Sequence, residues 1–135
     1  MPTKFESHFQ VRPDDIDMFQ HVHNSTYFDY VLAARYDQME RCYGMSMEEF
    51  LKLGFGWVVR IAHVEYKRPL GLGDRFVVRT WIEELKRFGV IVRFEIERAG
   101  DGSSACVGWF DYVMINTSSG RPEEIPAFIV EKYSV

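Results

Sequence analysis

The run Asn24–Tyr43 contains neither Gly nor Pro and opens on Asn24, Ser25 and Thr26, all residue types that cap helices. It then stays apolar on nearly every side: Tyr27, Phe28, Tyr30, Val31, Leu32, Ala33 and Ala34 are interrupted only by Asp29. Charge returns after Arg35, with Asp37, Glu40 and Arg41. A run this long without a breaker predicts one main helix. A helix apolar around its girth must be buried, so something has to wrap its first turns. That requirement constrains the chain more than any other feature in it.

The rest of the chain supplies the wrapping. Lys4 to Arg12 alternates loosely and ends at Pro13, which reads as a first strand, and Asp14 to His23 is polar and aperiodic, a loop. Gly44 stops the helix, and Ser46 to Leu53 adds a short helical turn before Gly54. After Gly56 the period becomes strand-like. Trp57 to Lys67 is a strand ending before Pro69, and Gly71-Leu-Gly73-Asp74 is a turn. Arg75 to Leu85 sets Phe76, Val78, Thr80 and Ile82 against Val77, Arg79, Trp81 and Glu83. Lys86 to Gly89 turns the chain into Val90 to Glu97, where Val90, Val92, Phe94 and Ile96 share one face. Gly100-Asp-Gly102 signals a hairpin, and Ala105 to Asn116 is a last strand, apolar on both faces. This order predicts an α+β architecture: an antiparallel sheet of about five strands curled around one long central helix. The two apolar faces of Ala105–Asn116 call for a cover over the outer one, most simply a second copy of the chain in a homodimer or homotetramer.

Composition narrows the function classes. At 135 residues the chain is expected to form a single domain, 1–135, with no room for a separate cofactor module. A net charge of −4 matches neither a nucleic acid nor an anionic membrane, though a local basic cluster can still hold a small anion. No window is long and apolar enough for a membrane span. Cys42 and Cys106 fit no zinc or redox spacing and read as reduced core thiols. With no apolar leader after Met1, the expected location is the cytoplasm.

The densest polar constellation is Asp14, Asp15, Asp17, His21, His23 and Asn24, just ahead of the helix. A carboxylate facing a helix start is chemically attractive: backbone N–H groups there can hold a developing oxyanion while the carboxylate acts as nucleophile or base. The plain alternative is a set of solvated loop residues and caps. His21-Val-His23 resembles a metal pair but lacks a third ligand, since His8 and His63 lie far off. No Gly-x-Ser-x-Gly elbow is present, and Gly54-Phe-Gly56 and Gly71-Leu-Gly73 are turn glycines.

The stretch Val11-Arg-Pro-Asp-Asp-Ile-Asp17-Met-Phe-Gln-His21-Val-His-Asn24-Ser-Thr-Tyr27, followed by Tyr30 and Ala34-Arg35, resembles the opening signature of the hotdog-fold acyl-CoA thioesterases. The branch is that of 4-hydroxybenzoyl-CoA thioesterase and the Tol-Pal-associated acyl-CoA thioesterases. A second block, Val64-Glu-Tyr-Lys-Arg-Pro69-Leu-Gly-Leu-Gly-Asp74, resembles the same family's second strand and following turn, and Gly120-Arg-Pro122 and Ile125-Pro126 extend the likeness toward the end. The resemblance implies a hotdog fold and metal-independent hydrolysis of an acyl-CoA to a free acid and coenzyme A. No cofactor is implied, because the coenzyme A thioester is itself the substrate.

Carried over by position, the resemblance makes Asp17 the catalytic carboxylate. Backbone amides around His23 to Ser25 would polarise the thioester carbonyl, and His21, His23, Asn24, Ser25 and Tyr27 would line the substrate. Tyr27 and Arg35 also admit structural readings, one packing the helix and one pairing with a carboxylate. Coenzyme A phosphates need a basic mouth, for which Lys86-Arg87 is the first candidate and Lys67-Arg68 the second. Phe19, Tyr27, Phe55 and Trp57 are candidates for the acyl pocket. The chain departs from the family at Gln20, where Gly is usual, at His23, where Asn is usual, and at Leu32, often Glu. Gln20 is expected to restrict the loop, and Leu32 leaves Asp17 as the main carboxylate. A hotdog hydratase or dehydratase and a non-hydrolytic acyl-CoA or acyl-carrier binding module remain the competing readings.

Overall fold

In the computed structural model, which describes residues 3–135, the polar-to-apolar alternation of the sequence becomes five antiparallel strands. They are β1 (Phe5–Gln10), β2 (Phe55–Tyr66), β3 (Arg75–Leu85), β4 (Gly89–Arg98) and β5 (Ser104–Asn116). Three helices accompany them: α1 (Asn24–Arg41), α2 (Met47–Lys52) and α3 (Ala127–Tyr133). The strand order is β1-β3-β4-β5-β2, so β1 and β2 are the sheet's two edges. The register slips at Arg60 in β2 and at Glu83 in β3. Bulges of this kind bend and twist long strands, and they let this sheet curl. Gly108 permits β5 its close approach to β2, since a Cβ there would lie 1.9 Å from the His63 carbonyl oxygen.

The sheet's concave face receives α1. Val31 and Ala34 are fully buried in one cluster with Val78, Val92, Phe94 and Phe110. A polar chain pins the same helix to β1 and β3. Arg35 Nη1 donates to Thr80 Oγ1 at 3.3 Å, Thr80 donates to Gln38 Oε1, and Gln38 Nε2 donates to Ser7 Oγ at 3.0 Å. Ser7 in turn donates to Asp37 Oδ2 at 2.6 Å. Gln38 and Thr80 are fully buried, and this chain satisfies them.

The wrapping is less complete than the sequence suggested. Asp29, Ala33 and Tyr36 stay exposed, because five strands cover only one side of α1. A second difference concerns the outer face of β5. Trp109 stacks on His63 at 5.7 Å, and Lys86 reaches Asp111 at 3.5 Å, so the chain partly covers that face itself. Exposed apolar side chains also stand along the free edge of β2, where Val58, Ile61 and Tyr66 are 42, 47 and 48% exposed. The short helix α3 has no counterpart in the hydrophobic periodicity. It is held by Ile129 and by Tyr133, whose ring stacks on Tyr43 at 4.5 Å and whose hydroxyl donates to Met45 O at 3.0 Å. Cys106 is fully buried and Cys42 half-buried, both free, and burial pushes the Cys106 thiol up to about 12. Among the described residues no helix is long and apolar enough to cross a membrane.

Candidate active site

The loop before α1 is built around Asp15. Pro13 opens a single 3₁₀ turn over Pro13–Asp15, the Arg12 N–H donates to Asp15 Oδ2 at 3.0 Å, and the His23 N–H donates to Asp15 O at 3.1 Å. Beyond it the chain doubles back. Asp17 N–H donates to His21 O at 2.8 Å, and Gln20 N–H to Asp17 O at 3.0 Å, which closes a tight turn over Asp17–Gln20. Met18 and Phe19 project from its tip, 89 and 72% exposed. Gln20 sits at φ 62°, the left-handed conformation for which the family's usual Gly is suited. The side chain therefore leaves the loop geometry as it is and adds strain to it.

The turn also fixes the Asp17 carboxylate. Oδ1 accepts the N–H groups of Phe19 at 2.8 Å and His21 at 3.2 Å, while Oδ2 has no protein donor among the described residues. Partial desolvation works to raise the carboxyl's pKa. The two backbone donors and the nearby His23 and His21 outweigh it and hold the group below the usual aspartate value. Asp17 is thus ionised at neutral pH, with one oxygen available.

Beside it α1 begins. His23 occupies the N-cap position without making a side-chain cap, and no acidic residue stands in the first turn. The first N–H groups of a helix have no partner within the helix itself. Those of Asn24 and Ser25 make no hydrogen bond among the described residues, so they are open to a carbonyl oxygen or an anion. Two tyrosines hold this corner. Tyr66 donates to Asn24 O at 3.0 Å, and Tyr27 Oη accepts the Leu70 N–H at 2.8 Å. Val22 N–H to Leu70 O at 2.9 Å and the His21–Gly71 bridge tie the loop to the segment after β2. Asp17, His21, Asn24, Tyr27, Tyr66, Lys67 and Arg68 line one pocket as a result. No three His, Cys, Asp or Glu side chains among the described residues gather as metal ligands would.

The profile of the family described as the thioesterase-like superfamily matches residues 11–133. The chain belongs to the thioesterase-like superfamily. This superfamily member is 22% identical over 127 residues to the long-chain acyl-CoA thioesterase FadM of Escherichia coli (strain K12), covering 94% of this chain and 95% of that protein. The DHNA-CoA thioesterase of Staphylococcus aureus superposes with a TM-score of 0.90 at 22% identity, over 97% of this chain and 89% of the other. A second Staphylococcus aureus protein, solved in complex with CoA, gives a TM-score of 0.84 at 20% identity, over 98 and 82% of the two chains. Both structures share the fold.

Within this thioesterase-superfamily chain the structure gathers most of the residues singled out from the sequence. Asp17, His21, Asn24 and Tyr27 meet in the pocket, with His23 and Ser25 exposed beside them at the helix start. Lys86 and Arg87 are not brought to it. They follow β3, whose 11 residues span roughly 35 Å, whereas the pocket lies by the turn that precedes β3. Lys86 faces Asp111, and Arg87 lies 3.3 Å from Glu124. Lys67 and Arg68 are the basic pair at the pocket. Phe19 points away at the loop tip, whereas Trp57 lines a separate apolar cavity of about 300 Å³ with Phe28, Leu32 and Arg35. Arg35 pairs with no carboxylate among the described residues, contrary to expectation, and turns to Thr80 instead. Tyr66 was not singled out as a site residue, although it stands inside the second sequence block.

Proposed function

We propose that this protein is an acyl-CoA thioesterase, converting an acyl-CoA and water to a free carboxylic acid and coenzyme A. One observation carries the reading: an ionised Asp17 carboxylate with a free Oδ2 stands beside the unpartnered Asn24 and Ser25 amides at the start of α1. Those amides receive the thioester carbonyl oxygen and stabilise the negative charge that develops on it. The open Oδ2 serves as the nucleophile in the direct route, with activation of a water by the same carboxylate as the alternative. Asp17 Oδ2 adds to the carbonyl carbon, the C–S bond breaks, and the thiolate leaves as coenzyme A. Water then cleaves the resulting anhydride, releasing the acid and restoring the Asp17 carboxylate. The scheme uses only the chain's own groups and water, without metal or cofactor.

His21 and Tyr27 shape the pocket, and His23 stands exposed beside it at the start of α1. Lys67 and Arg68 serve the coenzyme A phosphates in the same chain, and Lys86 and Arg87 can serve only a site across a subunit boundary. We place that boundary at the free edge of β2, as a homodimer or a pair of dimers, in the cytoplasm. Release of free thiol from a panel of acyl-CoAs, followed with a thiol reagent, tests the reading. Steady turnover of at least one thioester supports it, whereas binding without thiol release marks an acyl-binding module.

A further inference from the structure

The cavity alongside α1 is apolar except at one place. Its rim is half-buried, formed by Phe28 and Leu32 from the helix and Trp57 and Val59 from the free edge strand. Its floor is buried, and there Met39, Val90 and Tyr112 surround Arg35. Arg35 is only 7% exposed. Its guanidinium donates to Thr80 at 3.3 Å, lies over the Tyr43 ring at 5.3 Å and has no carboxylate within ion-pair distance among the described residues. The polar chain behind it ends on Asp37, but Arg41 already occupies that carboxylate with contacts at 3.1 and 2.8 Å. The Tyr112 hydroxyl is buried as well and has no partner among the described residues.

A buried charge is costly unless an opposite charge meets it, and an unpaired buried donor is costly too. Apolar packing alone would have been served by a leucine or methionine at position 35. We propose that the acyl group this cavity accepts carries a carboxylate at its far end, and that Arg35 binds it. Within one chain the first-turn amides of α1 stand about 16 Å from Arg35 along the helix axis, so the group Arg35 meets is not a carbonyl held by the amides of the same chain. The apolar rim holds the methylene chain, and the floor selects its terminus. Arg35 thereby becomes a specificity residue and not a catalytic one. The proposal rests on the thioesterase reading for its substrate and on the cavity alone for its ligand.

Three coenzyme A thioesters of equal chain length, ending in methyl, hydroxyl or carboxylate, separate the possibilities. The expected result is a kcat/KM for the carboxylate-ended substrate about tenfold or more above the methyl-ended one, as a charge-assisted contact implies. Arg35→Met is expected to reverse that order, and Arg35→Lys to keep part of it. A wild-type preference for the methyl terminus overturns the proposal, as does an Arg35→Met variant that loses activity equally on all three. A second measurement does not need turnover. A linear dicarboxylic acid is expected to raise the wild-type Tm more than a monocarboxylic acid of equal length, and equal shifts contradict the proposal. Absence of hydrolysis with every thioester, together with a selective Tm shift, would refute the enzymatic reading and leave the Arg35 site standing.

Discussion

Tyr30 donates its hydroxyl to Asp15 Oδ2 at 2.7 Å, and by that bond α1 holds the loop that presents Asp17. The same Asp15 oxygen takes the Arg12 N–H, and the Asp15 carbonyl takes the His23 N–H. One residue thus braces the loop at both ends. Burial, followed by the bond to Asp15, pushes the Tyr30 hydroxyl far above its ordinary pKa, so it remains a donor throughout the working range.

Tyr30→Phe removes this strut with little change of shape. It is expected to cost about 1.5–3 kcal/mol of stability, the range for hydrogen bonds to charged groups. It should also lower kcat several-fold, because Asp17 loses its fixed approach to the helix amides. Chemical denaturation and steady-state kinetics check both. Unchanged kcat alongside a loss of stability would make the strut purely structural.

Gln20→Gly relieves a side chain held at φ 62°. The gain from leaving the left-handed region, about 1–2 kcal/mol, exceeds the extra entropy a Gly loses on folding, roughly 0.5–1 kcal/mol. A small net stabilisation is expected in urea unfolding. A destabilised variant would show that the Gln20 side chain makes a contribution of its own.

The sheet, the long helix and the Asp17 loop were all legible in the sequence, because alternation, caps and a polar cluster are local signals. What escaped it is non-local. Alternation places Lys86 and Arg87 in a strand-to-strand turn but cannot say at which end of the sheet that turn falls. The unpaired state of Arg35 depends on Thr80, Gln38, Ser7 and Asp37, which come from three different elements. The exposed edge of β2 follows from the strand order, and no single strand encodes that order.

The lowered pKa of Asp17 fixes the direction of the acid limb. In the proposed mechanism its carboxylate is the active form, so kcat/KM is expected to hold steady from neutral pH down past the ordinary aspartate value, near 3.9, and to fall only below it. Asp37 sets a parallel limb for stability. The Arg41 contact is the main cause of its depressed pKa; partial burial opposes that, and the Ser7 hydrogen bond adds to it. A depressed folded pKa contributes stability that is full above the unfolded value and is lost as pH falls through the folded one. A pH–rate profile and melting curves on the acid side check the two limbs. A loss of activity centred near pH 6 or 7 would point to a histidine instead.

The free edge of β2 carries the assembly proposed above. Ile61→Glu places a charge on it without touching the core, since Ile61 is half exposed. Sedimentation is expected to show the native chain as a dimer or larger at micromolar concentration and the variant as a monomer of low activity. A native chain that is monomeric and active would contradict the interface.

The most direct test of the account is Asp17→Asn, which keeps the size of the side chain and removes its charge. Thiol release from the best acyl-CoA of the panel is expected to fall in kcat by about a hundredfold or more, with Tm and oligomeric state retained. Turnover within a few-fold of the native enzyme would remove Asp17 from the chemistry and contradict the account.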